Sequence, residues 1–199
     1  MSITSLDTLL TLYRLKDETR TGWEIRGVVD PESVADHSWA TALLCLLYAD
    51  EAGVNRDHAV AMALVHDLAE SITGDVATRV HDADRTVPIA EKQQNERAAM
   101  DRLSPEPHAV RALWDEYEAA GTDEARFVRD MNLVDMCLQA LCYERDRRYD
   151  PATDYANQGG YHRLDEFFAT AAPRITTALG RTLYDQVRRR YEATQSGGE

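Results

Sequence analysis

The sequence predicts an all-α protein, a single bundle of roughly six to eight helices, from three observations. Apolar residues recur at three- and four-residue steps along nearly the whole chain. No segment alternates strictly between apolar and polar residues, as a half-buried strand would. Capping and breaking residues fall at the ends of the periodic stretches. The length of 199 residues suits one domain with a core large enough to need no disulfide.

Taken in order, residues 6–15 form a first amphipathic helix, followed by turn-rich sequence through Thr21-Gly22. Asp30-Pro31-Glu32 opens a second helix: Asp30 can cap, Pro31 suits the first turn and Glu32 favours the positive end. It runs to about Ala52, where Gly53 stops it. A third helix covers residues 56–71 and ends near Gly74. Residues 74–88 lack periodicity and read as a loop. Helices follow at 89–103, 107–119 and 122–149, then a polar connection at 150–160. Residues 161–191 are helical with a break at Pro173. One domain therefore spans residues 1–195, and 196–199 form a frayed tail.

The 44% hydrophobic and 29% charged fractions fit a globular chain rather than a disordered one. A net charge of −13 excludes general nucleic-acid binding, which needs a basic footprint. Any anionic substrate must be met by a locally placed Arg or Lys. The longest apolar stretch, residues 40–49, is too short to span a bilayer. Cys45, Cys137 and Cys142 form no CxxC pair and read as small buried hydrophobes. Their odd number and the lack of a secretory signal give a cytoplasmic expectation.

The informative residues are polar groups on core-facing stripes. Val34, His37, Thr41, Leu44 and Tyr48 share one face of the second helix. Ala59, Met62, His66 and Glu70 do so in the third, with Asp67 beside His66. Val128, Met131, Asn132, Asp135, Leu138 and Cys142 define a face near residues 122–149. A lone inward histidine is usually a satisfied core residue, but here three helices each turn ligand-type residues inward. Buried His, Asp and Glu must pair with each other or hold a metal. Imidazole and carboxylate together suit a divalent ion such as Mn, Co, Fe, Ni or Zn. Glu70 lies one turn beyond His66, where a carboxylate can act as a base for water activated at the ion.

These residues resemble the HD-domain phosphohydrolases, named for the paired His-Asp that is here His66-Asp67. The chain is most similar to the small 5′-deoxynucleotidase group within them. The resemblance runs through Thr21-Gly22-Trp23, Arg26, Pro31-Glu32-Ser33-Val34, Asp36-His37, the run Leu64-Val65-His66-Asp67-Leu68-Ala69-Glu70 and Gly74-Asp75. It continues with Glu91-Lys92, Glu96, Glu116-Tyr117-Glu118, the run Glu124-Ala125-Arg126-Phe127-Val128, Met136, Gln139-Ala140 and Tyr143-Glu144. It implies a metal-dependent hydrolase of deoxynucleoside 5′-monophosphates that works as a homodimer. It further implies that His37, His66 and Asp67 bind one divalent ion and that Glu70 is the catalytic carboxylate. Asp75 would contact the sugar and orient water, and Arg26 would bind phosphate. Lys92 is a second candidate for phosphate.

One departure stands out. The family's fourth ligand is an Asp, and the corresponding residue here is Asn132. An amide oxygen can ligate a hard cation but brings no charge. Asn132 takes the fourth ligand position directly; Asp135, three residues on, is the alternative, and Asp130 points too far round the helix. The departure also admits a nucleotide-binding regulatory module without catalysis. A di-iron oxygenase of the HD type would need two further ligands, for which His81 and Asp135 are candidates.

Overall fold

The computed structural model describes residues 5–104 and 109–196. Among them are ten α-helices and no strand; one isolated bridge joins Thr19 to Ser33. The helices are α1 (Leu6–Tyr13), α2 (Thr21–Ile25), α3 (Val34–Ala52), α4 (Arg56–Val65), α5 (Glu70–Thr73), α6 (Ile89–Leu103), α7 (Ala109–Ala119), α8 (Asp123–Arg145), α9 (Asp165–Ala171) and α10 (Ala178–Ser196). The all-α expectation is met. The number exceeds six to eight because α2 is a short extra helix and the expected helix over 56–71 is divided.

That division matters most. The backbone stays right-handed from His66 to Ala69, but Glu70, Ser71 and Ile72 donate to carbonyls three residues back rather than four. The chain tightens towards 3₁₀ geometry, which needs no Gly or Pro. The second expected helix begins later than its Asp-Pro suggests. Ser33 caps α3 in a box with Asp36, while Asp30 sits at φ 47° in the preceding turn. The break at Pro173 falls between α9 and α10. The expected start at Pro107 and residues 197–199 lie outside the described residues.

α8 is the spine. Eleven of its residues are buried, and it contributes to both large apolar clusters. Phe127, Val128, Met131 and Val134 pack with Cys45, Ala49, Ala59 and Met62 of α3 and α4. Cys137, Ala140 and Tyr143 pack with Trp23, Phe168, Ile175, Tyr184 and Tyr191. A smaller cluster of Ala69, Ala99, Met100 and Trp114 joins the turn after α4 to α6 and α7. Cys45 and Cys137 are buried as expected, but Cys142 is exposed, because it lies on the outward side of α8.

Asp130, fully buried on α8, stitches the last two helices to this spine. Its carboxylate accepts from the backbone N–H groups of Thr176, at 3.0 Å, and Thr177, at 2.6 Å, ahead of α10. Gly180 passes so close that a Cβ there would stand 2.5 Å from Asp130 Oδ2 and 2.8 Å from its Cβ. Gly180→Ala would ordinarily favour a helix by about 1 kcal/mol. Here the overpacked contact should instead destabilise the protein by about 1–3 kcal/mol, measured by urea unfolding.

Candidate metal-binding active site

Two helices and one tightened turn bring the ligand-type residues together. His37 comes from the second turn of α3, His66 and Asp67 from the tightened turn, and Asn132 and Asp135 from the middle of α8. His66 Nδ1 lies 2.7 Å from the Ala63 carbonyl. A carbonyl only accepts, so Nδ1 carries the hydrogen and the Nε2 lone pair is free. His66 Nε2 is 3.1 Å from Asp67 Oδ2, and His37 Nε2 is 3.8 Å from the same oxygen.

None of these three atoms has a hydrogen-bond partner, though all are buried. Ligand atoms of the three residues lie within 4.8 Å of one another. An unsatisfied buried polar atom costs about 1–3 kcal/mol, so three that meet within a few ångströms make a donor set able to hold a cation. Two imidazole nitrogens and one carboxylate oxygen fit a divalent transition metal ion. Burial, with Arg20 facing it, pushes His37 down to about 3, which keeps it in the neutral, ligating form. Burial acts to raise Asp67, yet His66, His37 and Arg20 hold it well below the ordinary carboxylate range. Asp67 in turn raises His66 against its burial.

The cluster opens into a cavity of about 640 Å³, lined among others by Arg20, Trp23, Glu70, Asp75, Lys92 and Asn132. A larger opening of about 880 Å³ beside α8 and α10 is a surface groove with no acid or histidine in its lining. Glu70 is almost fully buried, and its Oε2 has no hydrogen-bond partner. Burial raises its carboxyl well above the usual range, helped by Asp67 and Asp75. Lys92 approaches the other oxygen, Oε1, at 3.5 Å and Glu96 at 3.4 Å, and donates to the Val76 carbonyl at 3.1 Å. Burial opposes its charge, but Glu70 and Glu96 raise Lys92 to about 12.

Gly74 makes the turn that presents Asp75. Its φ of 74° is open to glycine, and a Cβ would meet Glu18 Oε1 at 3.0 Å. Asp75 Oδ2 accepts from the Thr21 N–H at 2.6 Å, and its own N–H donates to Glu18 at 3.1 Å.

The arginine expectation needs correction. Arg26 does not line the cavity: its side chain is 1% exposed and pairs with Glu166, with further bonds to the carbonyls of Ala156 and Tyr161. It is the residue that directly follows α2. Arg20, just before α2, stands on the cavity wall instead, 3.6 Å from Asp67 and 3.5 Å from Asp75. Despite its burial, Asp75, Asp67 and Glu70 hold its guanidinium charged. Sequence reading missed Arg20, although it directly precedes the Thr21-Gly22-Trp23 run.

Two other candidates fall elsewhere. Asp135 Oδ2 bonds His37 Nδ1 at 2.7 Å, on the side of the ring away from the cluster, so it does not replace Asn132. His81 stacks on Tyr161 with centroids 5.9 Å apart and does not line the cavity. Asn132 does line it, and its Nδ2 donates to the Tyr117 hydroxyl at 2.8 Å. Trp23 stacks on Phe167 at 3.9 Å, giving the cavity an aromatic wall.

The HD-domain family profile matches residues 12–176. The chain belongs to the HD-domain family. It is 39% identical over 176 residues to the 5′-deoxynucleotidase HDDC2 of Bos taurus, covering 86% of this chain and 78% of that protein. The crystal structure of the PH0347 protein from Pyrococcus horikoshii OT3 matches with a TM-score of 0.70 and 29% identity, covering 94% of this chain and 99% of that one. A predicted metal-dependent phosphohydrolase from Magnetospirillum magnetotacticum MS-1 matches with a TM-score of 0.62 and 26% identity, over 94% and 92% of the two chains. The HD pair of this chain is His66-Asp67, at the tightened turn.

Because Arg26 and Arg79 both pair with Glu166, Arg26→Met removes one of the two cations that hold this carboxylate. It should lower unfolding free energy by about 1–3 kcal/mol in denaturant titration. Weaker binding of inorganic phosphate without loss of stability would show that Arg26 serves the cavity after all.

Proposed function

We propose that the protein is a metal-dependent phosphohydrolase that cleaves deoxynucleoside 5′-monophosphates to nucleoside and phosphate. The observation that carries this reading is the convergence of three unpartnered ligand atoms at a cavity whose wall holds Arg20 and Glu70. The homology to proteins named 5′-deoxynucleotidase supports the substrate class. His37, His66, Asp67 and Asn132 would hold one divalent ion, which supplies Lewis-acid polarisation of the phosphoryl group and of water.

The remaining work belongs to the chain's own side chains. Arg20 meets the phosphate oxygens with a fixed pair of donors and neutralises charge that grows on them. Glu70 Oε2, buried and without a partner, takes the proton of the attacking water. Burial raises its affinity for protons, which suits a group that must accept one. Lys92, against Oε1, fixes the rotamer of Glu70 and remains available to phosphate. Asp75 orders the Thr21 backbone and Arg20, and can receive a sugar hydroxyl. The stacked Trp23 and Phe167 give the nucleoside a flat apolar surface.

The di-iron alternative loses support, since neither His81 nor Asp135 joins the cluster on the cavity side. Among the described residues no helix is long and apolar enough to cross a membrane; a cytoplasmic location remains part of the proposal. A homodimer is the proposed assembly. α3 offers it an outward stripe of Trp39, Leu43, Leu46 and Leu47, all exposed, and such an apolar face marks an interaction site.

Phosphate release from deoxynucleotides, screened over Mn²⁺, Co²⁺, Mg²⁺, Zn²⁺ and Ni²⁺, tests the reading. No release with any of them would overturn it in favour of the regulatory module. Glu70→Ala should lower kcat by about 10²–10⁴ while metal binding persists. Arg20→Ala should cost about 10² in kcat/KM. Trp39→Glu combined with Leu47→Glu should convert a dimer to a monomer in light scattering coupled to size-exclusion chromatography; an unchanged mass would exclude this face.

A further inference from the structure

Behind the cluster lies a second set of polar groups, with His37 and Asp135 buried and Glu32 half-buried, that the reaction above does not use. His37 spans the two sets: Nε2 faces Asp67 on the cavity side, and Nδ1 meets Asp135 on the other. Ligand atoms of Glu32, His37 and Asp135 lie within 4.8 Å of one another, and neither carboxylate lines the cavity. Glu32 is itself fixed: the Trp23 indole N–H donates to Oε1 at 2.9 Å, and the Glu32 N–H donates to the Tyr143 hydroxyl at 2.7 Å. Asp135 rises from α8 beside Asn132, with only 7% of its side chain exposed.

When ionised, Asp135 can only accept, so its bond to His37 then puts the hydrogen on Nδ1 and leaves the lone pair on Nε2. That tautomer is the one a metal ligand on the cavity side requires. A carboxylate behind an imidazole also makes the ring a more basic donor. This chain has particular need of it. With Asn132 in the ligand set, Asp67 brings its sole negative charge.

We propose that Asp135 is a positioning residue: it fixes His37 with Nε2 towards the cation and, through the imidazole, restores part of the charge that Asn132 does not bring. The inference rests on His37 being a metal ligand, and the test separates the two. Co²⁺ is titrated into metal-free protein and followed by its visible absorption. Wild-type protein should bind it, and Asp135→Asn, of nearly the same shape, should bind it about 10- to 100-fold more weakly. At saturating Co²⁺ the variant's nucleotide KM should stay within about twofold of wild type, because Asp135 does not touch the cavity.

Asp135→Glu, which keeps the charge, should stay within about threefold of wild-type Co²⁺ affinity and carries the test should Asp135→Asn not fold. Wild-type affinity in Asp135→Asn overturns the proposal. So does a loss in Asp135→Glu as large as in Asp135→Asn, which would make the residue a packing element. Wild-type protein that takes up no Co²⁺ overturns the metal reading itself and this inference with it.

Discussion

The organisation of this protein turns on a set of buried donors that cannot satisfy one another. Two imidazole nitrogens and a carboxylate oxygen face a common point from two separate elements, and each would be costly to bury alone. Helices α3, α4 and α8 hold them there by packing through ordinary apolar side chains around Met62, Val128 and Met131. The local device is the tightening of the chain at His66. It leaves the Ala63 carbonyl to accept from His66, which sets the tautomer, and it lets the adjacent His66 and Asp67 approach each other at 3.1 Å.

The charge distribution follows from the same geometry. A chain with a net charge of −13 keeps selected cations in the cavity by clamping each with acids. Arg20 lies between Asp67 and Asp75, Lys92 between Glu70 and Glu96, and Arg79 against Glu166. Donors held in this way need little reorganisation when an anion arrives, which is the main electrostatic advantage of a preformed site.

Much of this was legible in the sequence, for a physical reason. A polar residue at core spacing on a long helix has few places to go, so the stripes through His37, His66 and Asn132 announced an interior cluster. The limits are equally physical. α2 spans only Thr21–Ile25, too short for periodicity to say which of Arg20 and Arg26 faces inward. Asn132 and Asp135 share a face of α8, and nothing in their spacing tells which side of His37 each will meet. The tightened turn at His66 contains no breaker, because it changes hydrogen-bond partners while leaving the backbone right-handed. The Asp130 clasp depends on a partner nearly fifty positions away along the chain.

The aromatic wall has an evolutionary consequence. Phe167 sits on α9, 35 positions past Asn132, and completes the surface that Trp23 begins near the other terminus. A substitution accepted at Phe167 over evolution would alter one half of that surface without touching His37, His66 or Asp67.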